Sequence, residues 1–297
     1  MGRSVAHHYL PQFYLKGFTD VAGLFLIYQI RRGAFKMNGK RFSPASHFFV
    51  PKDNTVIFGG VEDNFIEESY SRMESKTAKV FDKIRAVNEG YDLAETDIPM
   101  LQYFAAELFW RLPAQQPVLA KMAETPSLKQ LGISLKNKDT GETVDHPEIE
   151  QRILQHPNYT KLLRTMMPLM TYPRLFDCKS PVTIFTFPKG LPAICSDNPL
   201  ILRHPEKLDL YQDDFILPLT ENKILIRIKK LKPRFWSTVK IDIDMLVLLQ
   251  SNEYACCTDE RYPAMLKDLF QKKYQSTDRL RAGIFESIDD EFSLEQS

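Results

Sequence analysis

With 297 residues, 43% hydrophobic and 26% charged, the chain has the makeup of a soluble globular protein of one large or two smaller domains, which excludes intrinsic disorder. A formal net charge of +1 argues neither for nor against a polyanionic partner, so only local clustering bears on that question. The four cysteines, Cys178, Cys195, Cys256 and Cys257, contain no C-x-x-C pair, which excludes a zinc pattern and a disulfide framework and points to reduced thiols in the cytoplasm.

Arg3 leads into His7-His8 rather than an apolar run, so no secretory leader is expected. Residues 4–10 read as extended. Pro11 suits the first position of a short helix and Gly17 the residue just past its end, with Leu10, Phe13, Tyr14 and Phe18 on one face. Leu24 to Ile30 reads as a strand that turns at Arg31-Arg32-Gly33 and returns through Ala34 to Met37. Asn38-Gly39 is a second turn signal. Short strands are expected at Phe48–Val50 and Thr55–Phe58, around the Lys52-Asp53-Asn54 loop.

After Gly59-Gly60 the period changes from two to 3.6. Phe65, Ile66, Tyr70, Met73, Thr77, Val80, Phe81 and Ile84 predict one long amphipathic helix ending near Gly90. Thr96 or Asp97 caps a second helix with a wide apolar face that Pro113 ends. A third is expected over Val118–Leu131. Lys136 to Asp145 is a polar loop, and Glu148 to Met170 is helical, interrupted at Pro157-Asn158 and bent or ended at Pro168.

The last third returns to strands. Val182–Phe187 and Ala193–Ser196 are expected to form a hairpin through Pro188-Lys189-Gly190. Phe215–Leu217 and Ile224–Ile228 form another through Thr220-Glu221-Asn222. Ile241–Gln250 and Pro263–Tyr274 read as helices, and the acidic tail with Asp289, Asp290, Glu291 and Glu295 as a frayed end. The longest apolar runs, such as Met245–Leu249, are far too short to span a membrane. The fold class is therefore α+β: a mixed or antiparallel sheet of N- and C-terminal strands with a helical middle packed on it. Residues 1–297 are expected to form a single compact domain, with possible lobes of 1–60 plus 180–297 (β-rich) and 61–175 (helical).

Several motifs carry a resemblance. The opening His7-His8-Tyr9-Leu10-Pro11-Gln12-Phe13-Tyr14-Leu15-Lys16-Gly17-Phe18 resembles the signature of a bacterial family called domain of unknown function 4238. Glu67 and Glu74, seven apart on a helix, resemble its paired glutamates. Arg111-Leu112-Pro113, the Ser196-Asp197-Asn198-Pro199 turn, Pro218 to Thr220 and Asn252 match further family features. The resemblance spans residues 4 to about 270. It implies little about activity beyond an association with bacterial defence or toxin-like systems.

Each motif allows a chemical and a structural reading. Adjacent histidines point to opposite sides of an extended segment, so one of His7 and His8 can serve as a ligand or general base while the other anchors the segment. Glu67 and Glu74 lie two helical turns apart, about 10 Å along the axis, too far to chelate one ion together. Either one of them supplies a metal ligand or base, or they pair with cations such as Arg111. Arg111 clamps a phosphate, or it satisfies a helix C-terminus. Asp197, after a strand, is a ligand, or Asp and Asn build a turn before proline. Neither a G-x-S-x-G elbow nor a P-loop is present, which rejects a serine hydrolase and a phosphate-cradling loop. Arg227, Lys229, Lys230, Lys232 and Arg234, followed by Trp236, read either as nucleic-acid contacts or as a protected strand edge.

Two functions follow from this inventory. The first is a metal-dependent nuclease or phosphohydrolase. His7 or His8, Glu67 or Glu74, Asp197 and Arg111 would do its chemistry, with His8, Glu74 and Asp197 as ligands of Mg²⁺ or Mn²⁺. The second is a non-enzymatic sensor or partner-binding component in which the same residues form a buried network, its partner a protein from a neighbouring gene. Geometry discriminates between them: ligands meeting in one solvent-facing shell favour the enzyme, and side chains sealed against internal partners favour the network.

Overall fold

The structure is a computed structural model that describes residues 6–58, 60–86, 94, 96–124, 127–129, 134–144, 146–172, 182–207, 210–227 and 237–290. The N-terminal part holds short strands: β1 (Ala6–His8), β2 (Phe25–Gln29), β3 (Ala34–Phe35), β4 (Arg41–Phe42), β5 (Phe49–Pro51), β6 (Val56–Phe58) and β7 (Val61–Asp63), with helix α1 (Gln12–Leu15) after the first. The helical middle is α2 (Phe65–Ala86), α3 (Asp97–Arg111), α4 (Gln116–Ala123), α5 (Pro147–Leu154) and α6 (Tyr159–Thr171). Strands return as β8 (Val182–Thr186), β9 (Ile194–Ser196), β10 (Ile201–Leu202), β11 (Phe215–Thr220) and β12 (Lys223–Arg227). They are followed by α7 (Ser237–Leu249), β13 (Tyr254–Cys257), α8 (Tyr262–Lys273) and α9 (Thr277–Asp290).

The fold is α+β, and distant strands do join. One sheet runs β3-β2-β13-β9, with β4 also on β2, so Phe25–Gln29 pairs antiparallel with Tyr254–Cys257. A second sheet runs β10-β11-β12-β8, and two small ribbons pair β1 with β5 and β6 with β7.

The alternation of side chains explains the layers. In β2, Phe25 and Ile27 enter one core cluster while Leu26 and Tyr28 enter another. The neighbours Cys256 and Cys257 divide in the same way, as do Leu225 and Ile226. Residues of α1, α2, α3, α4 and α6 fill the first cluster. Those of α7, α8 and α9 fill the second. Strands β2, β11 and β12 are therefore covered on both faces, which is why they read as continuous apolar runs rather than clean alternation. The helical middle covers only one face; the C-terminal helices cover the other.

Several local expectations are corrected. Val182–Thr186 and Ile194–Ser196 do not form a hairpin: the first pairs with β12 and the second with β13, in different sheets. Pro168 lies inside α6, and its carbonyl accepts the Tyr211 hydroxyl at 2.9 Å. The third helix is shorter than expected, Gln116–Ala123. Asp289 and Asp290 belong to a helix rather than a frayed end, while Glu291 and Glu295 lie outside the described residues, as does Cys178. Gly17 sits within a 3₁₀ turn (Lys16–Phe18) and serves close approach rather than termination: a Cβ there would stand 2.5 Å from the Leu219 carbonyl oxygen.

Candidate functional site

Strand β1 places the two histidines on opposite sides, His7 buried and His8 half-buried. Antiparallel pairing sets His7 opposite Val50 and His8 opposite Phe49. His7 Nδ1 accepts the Asn54 backbone N–H at 2.8 Å, so that nitrogen carries no proton. His8 Nε2 donates to the Ala45 carbonyl at 3.3 Å, and its ring packs on Phe49. Burial holds the His8 pKa below its ordinary value, more than the Ala45 bond, Glu74 and Glu67 raise it; Arg111 adds to the lowering.

Helix α2 delivers Glu67 and Glu74 to the same side because seven residues make nearly two turns. They reach different partners. Glu67 accepts from the Asn54 side-chain amide at 2.6 Å. Glu74 accepts from Arg111 at 2.7 Å. Arg111 is itself buried at the end of α3. Its guanidinium donates also to Glu107, 3.2 Å away, and to the His8 backbone carbonyl, and it lies 4.3 Å over the Tyr70 ring centre. Two carboxylates share this one cation, Glu107 buried beside it and Glu74 partly exposed. Burial pushes the Glu107 carboxyl up to about 7; Arg111 opposes that and Glu74 adds to it. The Arg111 pKa is raised: Glu74, Glu107 and Tyr70 outweigh the opposing effect of burial.

Asn54 closes a second knot beside the first. Its side-chain oxygen accepts from Arg164 at 2.6 Å, and the same guanidinium holds Asp53 at 2.6 Å. His7, His8, Glu67, Glu74 and Arg111, from three separate stretches of sequence, thus belong to one linked set of polar contacts running through Asn54 and the His8 peptide.

Asp197 is committed elsewhere. Its carboxylate accepts the backbone N–H groups of Asn252, Glu253 and Tyr254 at 2.8, 2.6 and 3.0 Å. Asn198 donates to the Gln250 carbonyl, and Gln250 returns bonds to the carbonyls of Asn198 and Leu200. Burial raises the Asp197 pKa, against those three amide bonds. The Ser-Asp-Asn-Pro turn therefore sews β9 to the start of β13. Among the described residues no three His, Cys, Asp or Glu side chains gather to hold a metal ion, so the expected grouping of His8, Glu74 and Asp197 around one ion is not formed.

The basic cluster is corrected at its first member. Arg227 is fully buried in β12, where it donates to the Leu210 carbonyl and lies over the Phe215 ring, rather than on a solvated edge. Lys229, Lys230, Lys232, Arg234 and Trp236 lie outside the described residues. No helix among the described residues is long and apolar enough to cross a membrane.

Sequence reasoning missed Glu107, Asn54, Asp53 and Arg164. Glu107 carried a signal, since it stands one turn before Arg111 on the same helix face. Asn54 and Asp53 looked like ordinary turn residues, and Arg164 like one cation among many.

A family model described as "Protein of unknown function (DUF4238)" matches residues 6–252. No curated protein and no solved structure matches the chain.

Proposed function

The chain belongs to the DUF4238 family, and from that premise we propose that it is a non-enzymatic sensor or partner-binding component whose family motifs form a structural network. One observation carries the reading: the Arg111 guanidinium is buried and spent on Glu74, Glu107, the His8 carbonyl and the Tyr70 ring. A phosphate placed against Arg111 would have to displace two carboxylates from it. Asp197 argues in the same direction, because a cation there would compete with three backbone donors already aimed at its oxygens. Satisfied networks of this kind fix one arrangement of distant segments. Here the arrangement fastens the N-terminal strand to α2 and α3, leaving the outer surface to recognise a partner, expected to be a protein encoded by a neighbouring gene in a bacterial defence or toxin-like system.

The reading is tested on the purified chain with Mg²⁺ or Mn²⁺ and with DNA, RNA and nucleotides as substrates. The expected result is no turnover above background. Metal-dependent turnover that Glu67→Gln or His8→Ala abolishes in a folded protein would overturn it and restore the hydrolase.

A further inference from the structure

The Arg111 network leaves two family motifs unused: Lys16-Gly17 at the end of the opening stretch, and Pro218 to Thr220. They meet. The Glu221 N–H donates to the Gly17 carbonyl at 2.9 Å, and the absence of a side chain at Gly17 lets the turn lie against Leu219 and Thr220. Beside this contact is an open cavity of about 510 Å³, within the size range of small-molecule sites.

Four cationic residues line the cavity: Lys16, Arg85, Lys189 and Lys223, of which Arg85 already binds Asp82 at 2.5 Å and the Phe13 carbonyl at 2.9 Å. Two carboxylates line it as well, and one is already neutralised from outside, since Asp20 accepts the amides of Ala22 and Leu24 and binds Arg41 at 2.7 Å. The other is Glu221. Lys16 and Lys189 are exposed and have no carboxylate partner among the described residues. Lys223 is buried and donates to the Ile84 carbonyl. Burial chiefly, and after it repulsion from the nearby Lys189 charge, lower its pKa, against Glu221. A bound polyanion would relieve that repulsion.

We propose that this cavity binds a compact polyanion of the oligophosphate class, a free phosphorylated small molecule held by Lys16 and Lys189, with Lys223 and Arg85 adding positive potential from the cavity wall. Lysine suits this role as a point charge for phosphate. The inference is independent of the Arg111 network.

The test is calorimetric titration of the full chain with sodium tripolyphosphate, ATP and citrate at constant ionic strength, on wild type, Lys16→Gln/Lys189→Gln and Lys189→Glu. Lys272→Gln, on the exposed face of α8, is the control for general charge. One saturable site for tripolyphosphate or ATP is expected, weakened about tenfold or more in both cavity variants and unchanged in the control, as expected for each lost charge-assisted contact. Binding of ATP but not tripolyphosphate would assign the site to nucleotides, and binding of both to the phosphate chain itself; either supports the proposal. The absence of saturable binding, tighter binding of citrate than of either phosphate, or equal weakening in Lys272→Gln would overturn it.

Discussion

Glu107 and Arg111 stand one helical turn apart in α3, both buried and 3.2 Å from each other, while Glu74 of α2 holds the same guanidinium at 2.7 Å. Two acids on one cation is a frustrated arrangement, with Glu107 sealed in beside the arginine and Glu74 about a quarter exposed. The His8 carbonyl and the Tyr70 ring supply further contacts to the same guanidinium.

The frustration gives a pH signature. Folding raises the Glu107 pKa from 4.5 to about 7, chiefly through burial. The folded protein then binds a proton that the unfolded chain releases. The stabilising contribution of this group is complete below its unfolded value and is lost as pH rises through its folded value. Urea unfolding of wild type and Glu107→Gln should therefore show a stability difference that moves against wild type between pH 4.5 and about 7. A difference that does not change across that window would contradict the assignment.

Removing the cation should be severe. Arg111→Met leaves Glu74 and Glu107 without their shared partner, and breaking a buried pair costs about 3–5 kcal/mol. Urea midpoints at neutral pH measure it. A loss below about 1 kcal/mol, the range of exposed ion pairs, would mean that Arg111 holds nothing in place.

Asp197→Ala removes the acceptor from three backbone donors, the amides of Asn252, Glu253 and Tyr254. A destabilisation of about 1–3 kcal/mol follows from removing a charged acceptor from part-buried donors. Hydrogen exchange should speed up first at those three amides, because the turn that joins β9 to β13 loosens before the rest. Unchanged protection there would show that the carboxylate is not their anchor.

Gly17→Ala introduces a Cβ 2.5 Å from the Leu219 carbonyl oxygen, a backbone atom with little room to move. A cost of about 1–3 kcal/mol is expected from such overpacking. The melting temperature should fall accordingly, and a neutral substitution would show that the two motifs do not touch.

These residues also show what the sequence made legible. The long helices were readable because their apolar period is 3.6 and because a capping residue at Thr96 or Asp97 and Pro113 mark the ends of the second. The opposed orientation of His7 and His8 followed from strand geometry, and pairing with Arg111 was one of the two open readings of Glu67 and Glu74. Strand partners were not readable where loops intervene: β8 and β9 are neighbours in sequence, but each pairs with a strand that comes later in the chain. Asn54 was invisible for the same reason, since its importance comes from His7, Glu67 and Arg164 arriving from three directions. Arg227 misled because a basic run suggests a surface, whereas burial on a strand is decided by the layers on either side.

The central claim is that His7-His8, Glu67, Glu74 and Arg111 act as one structural network, and a double-mutant cycle between Glu74 and Arg111 tests it most directly. Glu74→Gln, Arg111→Met and the double variant are unfolded in urea at neutral pH. The account predicts a coupling energy of about 1–3 kcal/mol, as for residues that share a network. Additive losses, within about 0.3–0.5 kcal/mol, are the behaviour of independent sites and would contradict it.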